Sequence, residues 1–315
     1  MDTSFEVQTP ALESDREKWN KKDTPLLNAK AQKLYQALVG SLLYLMHATR
    51  PDITFAVIRL SQYTSKLREA HWLGLKRILR YLKSTAGACL MLGDVAADDK
   101  DAGLVGYFDA THTNNANRRF TCGYIFLLYG SPISWSSKVQ RTIALSTTEA
   151  ELMAGTEATR EAIWIKGLTN GLFAMNLDND KRGKTTEGIL KCELRGDNQG
   201  SIALSMNPVY HQRTKHIDIW HCFICDMVND GIIMVSYVPT ADMLAAGLTK
   251  PLPRDTHADH CFRMGLMLYQ DTPSINSAIH SAHMAIKKRK LRCEDCGNLF
   301  ADENALNKHR LKKEN

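Results

Sequence analysis

A chain of 315 residues, 44% hydrophobic and 23% charged, has globular composition with room for one large domain or two to three small ones, which excludes a wholly disordered or fibrous protein. No apolar run approaches the roughly 20 residues that cross a bilayer, and the opening MDTSFEVQTPALESDREK is acidic where a signal peptide is basic and then greasy. An intracellular protein, cytoplasmic or nuclear, is therefore expected. The net charge of +6 permits a polyanionic partner without requiring one, and eight cysteines, isolated apart from Cys222/Cys225 and Cys293/Cys296, make no disulfide framework.

Residues 1–32 are polar, without a sustained apolar period, and read as a flexible leader. Residues 33–95 differ. Leu38, Leu42 and Leu45, then Ile53, Val57 and Ile58, then Trp72, Leu75, Ile78 and Leu82 recur at helical spacing, which predicts three helices broken near Arg50-Pro51 and around residues 66–70.

A second block, residues 100–255, opens with alternation at 104–109, and further strands are expected at 124–129 and 133–136. Ser146 and Glu149 stand at capping-box spacing ahead of a long helix running to residue 172. A strand at 189–195, a helix at 214–229 closed by Gly231, a strand at 232–238 and a short helix at 242–249 complete a mixed-sheet α/β order. Residues 256–290 read as a linker, and the basic run Lys287 to Arg292 leads into a tail at 291–315.

Asp109 late in the first strand, Glu151 early in the long helix and Asp197 just past the fourth strand occupy positions that can converge. A carboxylate cluster of that kind holds hard divalent ions for phosphodiester hydrolysis. Helix phase selects Glu151 over Glu149, because 151 shares a face with Gly155, Ala158 and Ala162, small residues suited to a sheet, whereas 149 lies about 200° away. The plainer reading is that these are three of 34 acids, placed at strand ends and helix starts where acids are common.

The wording of the segments GYFDA, GYIFLLYGSPISWSSKVQRTIALSTTEAELMA, DNQG, NPVYHQRTKHIDI and VPTADMLAAGLTKPLPR closely resembles the ribonuclease H domain of copia-type LTR retrotransposon Pol polyproteins. YQALVGSLLYLMHATRPDITFAV and HWLGLKRILRYLKSTAG resemble the connection between that family's reverse transcriptase and its nuclease, so the likeness runs over roughly residues 9–270. The resemblance implies an RNase H-like fold, a mixed five-stranded sheet with flanking helices. It also implies Mg²⁺- or Mn²⁺-dependent cleavage of the RNA strand of RNA–DNA hybrids at a two-metal site. The polymerase's Tyr-x-Asp-Asp turn is absent from this sequence, so DNA synthesis is not expected of it, and a reverse transcriptase supplied elsewhere is an implied partner.

Three of the family's four acids fall on Asp109, Glu151 and Asp197, while the fourth position holds Ala246; Asp242, a turn earlier, is a candidate substitute. Thr111 and His112 also replace the family's acid and Trp. A catalytically decayed nucleic-acid-binding remnant is thus the competing expectation. For the hybrid substrate, Arg118, Arg119, Lys138, Asn198, Gln199, Arg213, Lys215 and His216 are the candidates, against the alternative of solvated surface groups and, for His216, a helix cap. In the tail, Cys293, Cys296 and His309, with Phe300 and Leu306, are spaced like a two-Cys, two-His zinc finger, but residues 313–315 read Lys, Glu and Asn, so the fourth Zn²⁺ ligand is missing. Cys225 reads as a core cysteine on an apolar helix stripe.

Overall fold

The computed structural model describes residues 7–21, 23–92, 103–112, 119–177, 192–206 and 218–268, together with the backbone of 291–292 and 299–300. The chain divides into two units, Met1–Met267 and Leu268–Asn315.

The first unit opens with α1 (Glu13–Asn20), α2 (Ala29–Ala48), a 3₁₀ turn at Pro51–Ile53, α3 (Thr54–Ser61) and α4 (Glu69–Ser84). Tyr35, Val39, Leu42 and Met46 line the buried face of α2 and meet Leu60, Leu75 and Ile78 in one apolar cluster, the expected three-helix pattern. The breaks fall where the sequence places them: Pro51 starts the 3₁₀ turn, and residues 62–68 separate α3 from α4.

The flexible leader is corrected for its described part. Residues 13–20 are helical, and Trp19, 2% exposed, seats in a notch that Gly74 leaves open: a Cβ there would stand 2.7 Å from the indole nitrogen. His71 Nε2 lies 2.9 Å from the Trp19 carbonyl. A single large anchor in a complementary notch orders a helix too short and polar to announce itself.

After the short strand β1 (Ala88–Leu90) come β2 (Leu104–His112), β3 (Phe120–Leu128), β4 (Ser131–Val139), α5 (Thr147–Leu177), β5 (Cys192–Gly196), α6 (Gln199–Met206), α7 (Asp218–Asn229) and β6 (Met234–Tyr237). The main sheet has the order β4-β3-β2-β5-β6; β2/β3 and β3/β4 are antiparallel, β2/β5 and β5/β6 parallel. The expected mixed five-stranded sheet is therefore present. The predicted helix at 242–249 is instead two 3₁₀ pieces, Thr240–Asp242 and Leu244–Leu248.

Strand alternation divides the core. Leu104, Phe108 and Phe126 face α5, where Ala154, Ala158 and Ala162 let the helix lie close. Tyr107 and Ile125 face the other way, onto Met243, Leu244 and Leu248. Gly155 and Gly196 both abut Phe108; a Cβ on Gly196 would come within 2.6 Å of that ring. Small residues thus bring β2, β5 and α5 together at one end of the sheet.

The linker expected from residue 256 is also corrected in its described part: α8 (Arg254–Arg263) and β7 (Leu266–Leu268) are ordered, and β7 pairs with β1. His257 and Cys261 of α8 face the helical segment. The Tyr81 hydroxyl lies 2.7 Å from Asp52 Oδ2, 3.1 Å from His257 Nε2 and 3.9 Å from Cys261 Sγ. Arg50 forks onto Asp52, with Nε 3.0 Å from Oδ1 and Nη2 2.7 Å from Oδ2, and donates to Thr85. Arg50, Asp52 and His257 are all buried. Burial holds His257 below the ordinary histidine range, against the pull of the Asp52 charge. Trp135 on β4 donates its indole N–H to the Met46 carbonyl at 2.7 Å, a second polar tie to the helices.

In the second unit, the backbone of β8 (Leu291–Arg292) pairs antiparallel with β9 (Leu299–Phe300). Cys293, Cys296 and His309 lie outside the described residues. Among the described residues no helix is long and apolar enough to cross a membrane.

Candidate active site

Asp109 is on β2, and Asp197 follows Gly196 where β5 ends beside it in parallel register. Glu151 comes from the first turns of α5. That helix starts as the sequence expects: the Glu149 N–H donates to Ser146 Oγ at 3.1 Å, and the Glu149 carboxylate accepts the Leu145 N–H at 2.6 Å. Glu149 is thereby committed to the cap, while Glu151, two residues on, points to the sheet.

Asp109, Glu151 and Asp197 each bring a carboxylate oxygen within 4.8 Å of the other two. Asp109 and Glu151 are 4% and 5% exposed; Asp197 is half-buried. Burial, with the charge of its two neighbours, pushes Glu151 up to about 9, against the opposing pull of the Ala110 backbone N–H and Lys250. Asp109 is raised too, chiefly by burial, although the Thr249 and Thr111 hydroxyls and the Lys250 charge favour its ionised form. The Thr249 hydroxyl donates to Asp109 Oδ2, and Thr111 Oγ1 lies 3.2 Å from the same oxygen.

This donor set fits a divalent cation. Hard ions take carboxylate oxygens, and two opposite oxygens of one Mg²⁺ stand about 4.2 Å apart, close to the present spread. Among the described residues buried Glu151 Oε2 has no hydrogen-bond partner, an oxygen that a cation could satisfy. Burial, and the neighbouring charges after it, disfavour the ionised forms of Glu151 and Asp109, and a cation among the three carboxylates would favour them instead.

In the metal-free protein the raised Glu151 costs stability as pH rises. The fold keeps this proton while the unfolded chain, with the ordinary value of 4.5, gives it up. Stability attributable to Glu151 is thus full below about pH 4.5 and falls up to about pH 9, by on the order of 1 kcal/mol per unit. Glu151→Gln is expected to flatten that decline in urea unfolding followed in EDTA across this window; an unchanged slope would show that Glu151 ionises alike in both states.

The other expected residues scatter. Lys138 is exposed and pairs with Glu157 at 3.8 Å; Arg119 lies at the start of β3, and both line a groove beside α3. Asn198 caps α6, its Oδ1 accepting the Ser201 N–H at 2.9 Å, and Gln199 is exposed. Arg118, Arg213, Lys215 and His216 lie outside the described residues. Asp242 does not join the carboxylates: it is 58% exposed at its side chain and faces Arg263 Nη1 at 3.7 Å, because the segment is 3₁₀ and a 3.6-residue phase does not apply. Ala246 is buried, and its carbonyl accepts the Thr249 hydroxyl at 3.1 Å. Thr249 and Lys250 are the site residues that sequence reasoning did not assign, although both stand in the quoted LTKP string. Cys225 is buried as expected, its Sγ 3.4 Å from the Leu204 carbonyl.

No family model matches the chain. Over 222 residues it is 41% identical to the Retrovirus-related Pol polyprotein from transposon TNT 1-94 of Nicotiana tabacum, across 70% of this chain and 15% of that protein. The chain belongs to the copia-type retrotransposon Pol family. It spans about 15% of the length of those Pol relatives. Another similar protein is the Secreted RxLR effector protein 161 of Plasmopara viticola, 48% identical over 132 residues, 42% of this chain and 90% of that one. A crystal structure of RNase H1 from Halobacterium salinarum NRC-1 matches 50% of this chain and 97% of its own, at 15% identity and a TM-score of 0.33. Membership of the Pol family together with the strand order makes the sheet and its helices a retrotransposon RNase H-type domain, as the copia-like wording implied.

Proposed function

We propose that the chain hydrolyses the RNA strand of RNA–DNA hybrids in a divalent-metal-dependent reaction, with Asp109, Glu151 and Asp197 holding the ions. The observation that carries this reading is the three-carboxylate cluster with its partnerless Glu151 oxygen. Bound Mg²⁺ or Mn²⁺ would supply a nucleophile at neutral pH and charge for the leaving oxygen. The chain's own part is positional: Thr249 and Thr111 fix the Asp109 carboxylate, Ser146 fixes the start of the helix that presents Glu151, and Lys250 offsets the excess negative charge.

Purified protein incubated with an end-labelled hybrid and Mg²⁺ or Mn²⁺ is expected to give short RNA fragments, and none in EDTA. Absence of metal-dependent cutting would sink the proposal. Within this reading a reverse transcriptase is a partner and the tail is a candidate Zn²⁺ site.

Ala246 favours a second reading, a remnant that binds but does not cut. One variant separates the two. Ala246→Asp is expected to lower the Mn²⁺ concentration for half-maximal cleavage by about 10-fold or more, the scale on which metal-site partners act. Hybrid binding without turnover in both the wild type and this variant would establish the remnant instead.

A further inference from the structure

A groove of about 710 Å³ runs between the helical segment and the outer edge of the main sheet, walled by residues of α3 and α4 on one side and of β4 on the other. Lys21, Arg59, Lys66, Arg68, Arg119, Lys138 and Arg141 line it, and its lining residues include no Asp or Glu. Such a concentration of one sign in a confined groove focuses a positive potential.

Two buried polar side chains at its base are open to an anion: one has no carboxylate partner and the other no hydrogen-bond partner among the described residues. Arg59, 3% exposed, donates to two neutral amide oxygens, Asn20 Oδ1 at 2.6 Å and Gln62 Oε1 at 3.0 Å, and lies over the Tyr63 ring at 5.7 Å, with no salt bridge to a carboxylate among the described residues. A buried guanidinium without a carboxylate is costly unless an anion completes it. Ser137, 5% exposed, has an Oγ with no hydrogen-bond partner among the described residues. Both polar groups line the same groove.

Register places the groove beside the carboxylates. Lys138 pairs with Cys122, which pairs with Ala110, the neighbour of Asp109. Two strand spacings amount to about 10 Å, a distance that consecutive phosphates of one strand bridge easily.

We infer that this groove binds the phosphodiester backbone of a nucleic-acid strand, with Arg59 and Ser137 at its base and the flanking lysines and arginines along its walls. The helical segment is then part of the nucleic-acid surface and not only a support for the nuclease sheet. That the same strand continues to the carboxylates rests on the proposed function; binding in the groove does not.

The test uses the full chain and a fluorescein-labelled RNA–DNA hybrid, with anisotropy read in EDTA so that cutting plays no part. Lys66→Glu/Arg141→Glu changes two exposed groove residues, and Arg80→Glu/Lys83→Glu makes the same charge change on exposed positions of α4 outside it. The groove pair is expected to weaken binding by about 10-fold or more at roughly 0.1 M salt and to reduce the slope of log affinity against log salt by roughly 2. The control pair should change affinity less than about 3-fold. Should the groove variant fail to fold by circular dichroism, Lys66→Gln/Arg141→Gln is expected to give a smaller loss of the same kind. Equal losses in groove and control variants, or no loss in the groove variant, overturn the assignment. Displacement of the hybrid by polyglutamate as readily as by unlabelled hybrid overturns it too, since the groove would then be a general anion surface. A wild type that binds through the groove but does not cleave leaves this inference standing and removes only the catalytic proposal.

Discussion

Asp109→Asn is expected to cut metal-dependent hydrolysis of the hybrid on the order of 1,000-fold or more, the scale seen when one member of a catalytic unit is lost. The side chain sits at the buried centre of the cluster, with two threonine hydroxyls donating to its Oδ2 and two other carboxylates within 4.8 Å. An amide keeps the shape but removes the negative charge that a cation would need. The same change should leave the fold at least as stable in EDTA, because burial and the neighbouring Asp197 both oppose ionisation of Asp109. Hybrid binding in EDTA should remain within a few-fold of wild type. Cleavage at the wild-type rate in this variant would place the chemistry somewhere other than these carboxylates.

Asp52→Asn, far from that site, is expected to lower stability by about 3–5 kcal/mol, the range for removing one partner of a buried ion pair. Arg50 is 5% exposed, and its strongest hydrogen bonds go to this one carboxylate, which also accepts from Tyr81. With Asn in place the guanidinium stays buried with its charge uncompensated. Urea unfolding measures the loss, and a change below about 1 kcal/mol would mean that solvent reaches the pair. Replacing both members, as Arg50→Met/Asp52→Leu, should cost less than the single substitution, since it removes the buried charges together.

Much of the site was legible because its signals are local. The alternation of residues 104–109 places Asp109 on a strand, the Ser146/Glu149 pair starts the helix, and the small residues 155, 158 and 162 turn Glu151 toward the sheet. The copia-like wording added the five-stranded fold. Other features depend on contacts distant in sequence, which no window reveals. Trp19 orders α1 only because Gly74, on another helix, leaves room for its ring. Thr249 reaches Asp109 across 140 residues, and His257 meets Tyr81 across 176. Asp242 was misplaced for a different reason: projecting an α-helical phase onto a 3₁₀ segment rotates each side chain away from its expected face. Of the basic groove only Arg119 and Lys138 were named from the sequence, because its other cations come from separate elements and form no run.

The Tyr81 hydroxyl joins Asp52 of the helical segment to His257 of α8, and Trp135 ties the sheet to Met46. A protease that severed the backbone between residues 92 and 103 would therefore not release a free RNase H-type domain. The two pieces should migrate together on a sizing column and part only in denaturant. A polypeptide beginning at residue 103 would instead expose His257, Cys261 and Trp135 to water without their partners, inviting aggregation. Hydrolytic assays on such a shortened protein would then report the loss of its scaffold before anything about its carboxylates.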